Sequence, residues 1–184
     1  RDRFKQLDGG HFWLSETPQT PGSKSWDSSL PRMVSWVKLA DLADDKCPPI
    51  FFFNTHFDHR GVKAREESAK LIAKRIAEMA KDSPTILTGD FNAGEGSAPY
   101  QGLFGKQANG AAALVDTFRA VHPQRGAEEG TFQDFRADAK RGDRIDWIGV
   151  SSGWEILTAK IDRSLRDGRL PSDHFPVMAI LKWK

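Results

Sequence analysis

Polar and apolar positions change period several times along the chain, and each change marks an element. Residues 50–53, Ile50-Phe51-Phe52-Phe53, form an apolar run with no polar face, the pattern of a strand buried on both sides. Residues 33–39 alternate, Met33, Ser35, Val37 and Leu39 against Val34, Trp36 and Lys38, which predicts another strand. Over residues 64–80 the period becomes helical. Ala64, Ser68, Leu71, Ile72, Ile76 and Met79 fall on one stripe, with Arg65, Glu66, Lys70, Lys74 and Lys81 elsewhere. Glu66 and Lys70 add an i,i+4 pair in the favourable orientation. Pro84 follows, and residues 85–88 read as a buried strand ending at Gly89-Asp90. Residues 145–150, 155–161 and 175–183 also read as strands, the last with Pro176 near its start, where a missing N–H costs least. Weaker signals are a short strand at 12–14, a Pro/Gly/Ser-rich loop at 18–29, and partial helix over 100–121 interrupted by Asn109-Gly110. Residues 124–143 are polar and carry both charge signs, the pattern of a long surface excursion. Strands and helices interleave, so a layered α/β fold with mixed sheets is expected.

At 184 residues and 39% hydrophobic content the chain suits one domain with a sizeable core, which six Trp and twelve Phe make aromatic. Trp26 and Trp36 are expected in that core. A formal charge of +2 is too small to announce nucleic acid by bulk electrostatics. One cysteine, Cys47, excludes an internal disulfide and a cysteine-built metal cluster. No apolar stretch approaches a membrane span and no signal peptide heads the chain, which leaves cytoplasmic and exported settings both open. Arg1-Asp2-Arg3-Phe4 lacks an initiating Met, so a trimmed or processed chain is expected.

The chemistry gathers in four polar clusters, each at a strand end: Asn54-Thr55-His56, Gly89-Asp90-Phe91-Asn92, Arg144-Ile145-Asp146-Trp147 and Ser172-Asp173-His174. Strand ends converge on the rims of sheets, where ligands bind. Acids, amides and imidazoles there suit oxygen-ligated metal chemistry on a phosphate ester. Asp90 and Asn92, two apart, point the same way in an extended segment, although Gly, Asp and Asn also make plain turns. Asp146 sits among Ile145, Trp147 and Ile148 and needs a partner, either an imidazole or a structural arginine such as Arg144. His174 beside Asp173 reads as a proton carrier or phosphate-charge stabiliser, or else as a backbone-bonded loop histidine. His56 and His59 lie three apart without a helix, which disfavours zinc; His56 is expected at the strand end and His59 on the following loop. Arg32 precedes a strand and is a candidate phosphate contact. Arg163, Arg166 and Arg169 lead toward Asp173-His174, as substrate contacts or as a solvated face. His11 and His122 carry no argument.

In this order the four clusters, the last running on as Ser-Asp-His-Phe-Pro-Val, resemble the endonuclease/exonuclease/phosphatase (DNase I-like) superfamily. Phe12-Trp13-Leu14-Ser15-Glu16 and residues 25–32 resemble segments of some bacterial members. The resemblance spans the whole chain. It implies a four-layer α/β/β/α sandwich of two mixed β-sheets with an Mg²⁺ site (Mn²⁺ as substitute) at one rim. Carried over, Asp90 activates or positions the attacking water and Asn92 orients it and the phosphate. Asp146 pairs with His174, which stabilises or protonates phosphate oxygens. His56 completes the phosphate pocket, Asp173 and Asp90 serve the metal, and Arg32 and Arg169 add substrate contacts. The family's early Asn and metal-binding Glu have no counterpart here, and Glu16 falls on the wrong motif, so the chain resembles the C-terminal two-thirds of such a domain.

The implied function is phosphodiester hydrolysis by direct water attack, nuclease-like, with phosphomonoesters as further substrates. The rival enzyme reading is a phospholipid head-group or small-metabolite phosphodiesterase or phosphatase. A reading from another class is a non-catalytic binding scaffold. Arg-Ile-Asp-Trp differs from the Cys-Asp-Arg of inositol polyphosphate phosphatases, and no membrane hairpin of the sphingomyelinase kind is evident. The partner expected is a phosphate ester, with nucleic acid among the candidates; oligomeric state is left open.

Overall fold

The computed structural model describes residues 2–105, 114–136, 138 and 142–184. Among these residues eight strands and three helices follow one another: β1 (Phe4–Trp13), β2 (Met33–Asp41), β3 (Ile50–His56), α1 (Val62–Ala80), β4 (Thr85–Asp90), α2 (Ala98–Phe104), β5 (Val115–Asp116), α3 (Thr117–Val121), β6 (Asp146–Val150), β7 (Trp154–Ile161) and β8 (Val177–Trp183). Strands β1 to β6 form one sheet in the order β1-β2-β3-β4-β6-β5, and β7 and β8 form a second. The β3–β4 pair is parallel, joined by the crossover helix α1, and its neighbours are antiparallel, so the larger sheet is mixed.

Two cores follow from strand alternation. Phe51, Phe53, Leu87 and Trp147 face one side of the large sheet and pack with Ala69 and Ile72 of α1 and Leu103 of α2. Ile50, Ile86, Ile148 and Val150 face the other side and meet Trp154, Ile156, Leu181 and Trp183 of the second sheet. The layers are therefore helix, sheet, sheet, with α3 packed on β7 and β6. Phe91 stacks on Trp147 at 4.4 Å and meets Phe57 edge-on at 5.0 Å, so two of the four clusters contribute a ring to the first core and a third is followed directly by one.

Helix α1 has glycine at its N-cap position and no local cap. The carboxylate of Asp27, far off in sequence, accepts the free N–H groups of Lys63 and Ala64 at 3.2 and 2.6 Å. Three expectations are corrected. The strand expected at 12–14 is the tail of a ten-residue strand whose outer part is exposed and polar. It is an edge strand paired only with β2, so no apolar pattern marks it. The surface excursion at 124–143 dives inward at Thr131 and Gln133, which are 0% and 1% exposed. Trp26 stands outside the core and lines a cavity of about 420 Å³ with Leu71 and Arg75 of α1, whereas Trp36 packs on the core as expected. The break at Asn109-Gly110 lies outside the described residues.

Candidate active site

Strand register builds the site. His56 of β3 is paired in register with Asp90 of β4, and Asp90 with Asp146 of β6. Directly paired residues share a face, so the three side chains form a row across adjacent strands. That row continues the face of Ile86, Ile148 and Val150, toward the second sheet, beyond the last apolar layer. Gly89 permits the close strand approach just behind it. A Cβ there would stand 2.2 Å from the carbonyl oxygen of Thr55.

His174 arrives from the loop before β8. Its Nδ1 lies 2.8 Å from Asp146 Oδ2, and its Nε2 lies 3.9 Å from Asp90 Oδ2. The same Asp90 oxygen is 3.3 Å from His56 Nε2. With Asp146 accepting at Nδ1, the Nε2 edge of His174 is the one turned to Asp90 and the pocket. Arg144 is not the partner of Asp146. Its buried guanidinium bonds Glu95 and Asp116, while Arg119 joins Glu95 and Glu129. Tyr100 donates to Asp116 at 2.8 Å. This ion network ties the loop after Asn92 to the start of β6.

Asn92 departs from the expected extended geometry. Its φ is 47°, because its backbone N–H turns back to Asp90 Oδ1 at 2.8 Å. Its side-chain Nδ2 donates to the Phe57 carbonyl at 3.0 Å, which fixes the amide plane beside Asp90. Asx-type bonding offsets the left-handed backbone.

Electrostatics separate the groups. Burial pushes Asp90 above the ordinary carboxylate range and the Asp146 charge adds to it, against the Asn92 N–H. Burial holds His56 below the ordinary imidazole value; Arg32 and His174 reinforce this against Asp90. Burial alone would lower His174 too, but its hydrogen bond to Asp146 and the surrounding carboxylates raise it. A carboxylate that keeps proton affinity beside an imidazole that retains its proton is an acid–base arrangement.

Arg32 lies close enough to act on His56, and its Nη2 is 3.4 Å from His59 Nδ1. Its Nε is buried with no hydrogen-bond partner among the described residues. His59 is on the loop after β3, as expected. The residue that positions Arg32 was missed in the sequence: Asp58, buried beneath the loop. One of its oxygens accepts from the backbone N–H groups of Ser29 and Leu30 and from the Ser29 hydroxyl, at 2.9, 3.0 and 2.7 Å. The other accepts from Arg60 and Gly61 N–H. Those hydrogen bonds hold its carboxyl far below the usual range, outweighing burial. Its only sequence signal was an acid next to His56-Phe57.

Asp90, Asp146 and His174 bring one potential ligand atom each within 4.8 Å of one another. Asp173 stands apart from that group, its carboxylate 3.3 Å from the Ser172 hydroxyl. Arg169 is exposed in a tight turn with Arg166, and Arg163 instead stacks on Phe175 and donates to the carbonyls of Glu128 and Gly130. No helix among the described residues is long and apolar enough to cross a membrane.

A model of the Endonuclease/Exonuclease/phosphatase family matches residues 3–174. No curated protein sequence matches the chain significantly. Among solved structures, a mannosyl-6-phosphatase of Bacteroides thetaiotaomicron VPI-5482 is 38% identical, with a TM-score of 0.85, over 99% of this chain and 68% of that one. A family protein of Bacteroides vulgatus is 32% identical, TM-score 0.86, over 100% and 68%. D. rerio TDP2, solved with a single-strand DNA product, shares the fold at TM-score 0.70 but only 16% identity, over 98% and 69%. Family members are phosphoester hydrolases, generally dependent on a divalent metal, and the acidic–histidine cluster here is a possible metal site. With a family model over residues 3–174 and relatives above 30% identity along its whole length, the chain belongs to the Endonuclease/Exonuclease/phosphatase family.

Proposed function

We propose that this chain is an Mg²⁺-dependent phosphoesterase, with Mn²⁺ as substitute, in which water attacks phosphorus directly and no covalent intermediate forms. The observation that carries this reading is the in-register row His56–Asp90–Asp146 with His174 closing over it. The donor set fits a hard cation: carboxylates and an amide on one rim, without a thiolate. Asp90 with Asp146 beside it would hold it, Asp173 lying outside that close group, and when bound it would supply charge to neutralise the phosphate oxygens. Asp90 takes the proton of the attacking water, and its raised proton affinity suits that task. Asn92, its amide anchored at Phe57, orients the water and a phosphate oxygen. Asp146 accepts the His174 Nδ1–H and helps the ring keep a second proton, so that the protonated ring donates its Nε2–H to a phosphate oxygen as charge develops. His56 and Arg32 line the phosphate site, Arg32 through the exposed Nη2 end of its guanidinium beside His59. Arg169 is a more distant substrate contact from the turn before Ser172.

For the substrate, a diester and nuclease-like activity follows from the superfamily at large. A specific observation favours the small-metabolite reading. The relative at 38% identity is a sugar-phosphate phosphatase, whereas the DNA-bound neighbour at 16% shares only the fold. A charge of +2 also gives little to steer a polyanion. The preferred substrate is therefore a phosphomonoester of a sugar. The test is phosphate release from mannose 6-phosphate and a nucleoside monophosphate, and release of the activated alcohol from a diester, by chelator-stripped protein with Mg²⁺, Mn²⁺ or Zn²⁺ returned. Mg²⁺ or Mn²⁺ should restore activity, highest on the sugar phosphate. Restoration by Zn²⁺ alone, or preference for the diester, would count against the respective half of the proposal.

A further inference from the structure

The segment 131–135 is attached to both catalytic strand ends. Thr131 Oγ1 accepts the N–H groups of Ile145 and Asp146 at 3.0 and 3.2 Å, and its carbonyl accepts the Phe175 N–H at 2.8 Å. Gln133 and Asp134 donate their N–H groups to the Asp173 carbonyl, and Gln133 Nε2 donates to Ser172 O at 2.6 Å. The cost is visible. Gln133 Oε1 is buried without a partner among the described residues, and Asp134 and Phe135 have φ of 54° and 58°. Between the buried Thr131 and Gln133, Phe132 must point the opposite way, and it is 47% exposed. It pairs with His174 through a β-bridge, its ring 5.1 Å from the imidazole and inclined at 62°.

A phenyl ring held outward at such cost adds little to the core. Its place is beside the His174 imidazole, on the exposed side of the segment. We propose that Phe132 is a substrate-binding residue that takes the apolar C–H face of a sugar ring whose phosphate lies at His174. This rests on the phosphoesterase reading for the phosphate and adds the recognition of the organic group. Apolar surface beside a few fixed polar groups is the usual composition of a small-molecule site.

Steady-state kinetics on mannose 6-phosphate and on ethyl phosphate, which has no ring, separate binding from packing. In Phe132→Ala the KM for mannose 6-phosphate should rise about tenfold with kcat nearly unchanged, ethyl phosphate kinetics should not move, and Phe132→Tyr should behave as the parent. An equal loss of kcat on both substrates would reduce the ring to a support for His174 and overturn the proposal. So would an unchanged KM for the sugar phosphate, or a loss confined to nucleoside monophosphates. Calorimetric binding of mannose 6-phosphate with chelator present gives a readout independent of turnover. Binding that weakens about tenfold in Phe132→Ala supports the subsite even if no phosphate ester is hydrolysed, an outcome that would sink only the phosphoesterase reading. Absence of binding to the parent protein overturns the subsite itself.

Discussion

At the scale of single residues the decisive contact is the 2.8 Å hydrogen bond between Asp146 and His174. An acid placed in an apolar strand needs a partner, and the partner is the imidazole, because Arg144 is occupied by Glu95 and Asp116. The residues alone left an imidazole or Arg144 open as that partner, and the family resemblance pointed to His174. The kink at Asn92 was not legible there, since a single left-handed residue in the loop just past β4 leaves no apolar signature. If Asp146 orients His174, Asp146→Asn and His174→Ala should each cut turnover by at least about a hundredfold, the usual loss for a proton-transfer or oxyanion-type group. Their circular dichroism should match the parent. Asp146 paired and His174 dispensable in stopped assays would mean that the pair is structural.

At the scale of elements, periodicity located the buried strands and α1 well because their apolar residues face cores. It failed where exposure or side-chain bonding governs. Strand β1 is polar because it is an edge, and Thr131 and Gln133 are buried although the segment around them is charged. Asp58 is a further instance. The loop carrying Arg32 is shaped by one carboxylate receiving backbone N–H groups from residues 29, 30, 60 and 61. Because its folded pKa is depressed, its stabilisation is complete above the unfolded carboxylate value, about 3.9, and is lost as pH falls below it toward the depressed one. Asp58→Asn should therefore lower stability by about 2 kcal/mol at pH 7, the size of losing charge-assisted bonds in a buried setting. Urea unfolding should show that gap narrowing below about pH 4. A gap that is constant with pH would deny the carboxylate this role.

At the scale of the whole molecule, two cores flank one mixed sheet and leave its C-terminal rim to polar groups. The network of Glu95, Asp116, Arg119, Glu129 and Arg144 joins the Asp90 loop to β6 across that rim. Its members are scattered over the sequence and look like ordinary surface charge, so only the folded chain reveals them. Arg144→Ala leaves Glu95 and Asp116 short of a buried cation and should cost about 3–5 kcal/mol in denaturant unfolding. A loss under about 1 kcal/mol would mean that solvent already screens the network.

The central claim is that the row of strand-end side chains is a hydrolytic centre for phosphate esters. Phosphate release from mannose 6-phosphate in Mg²⁺, compared between the parent protein and Asp90→Asn, tests it most directly. The parent should release phosphate only with the cation present, and Asp90→Asn, equally folded, should fall by at least about a hundredfold. Equal release by the two proteins, or release undiminished by chelation, would contradict it.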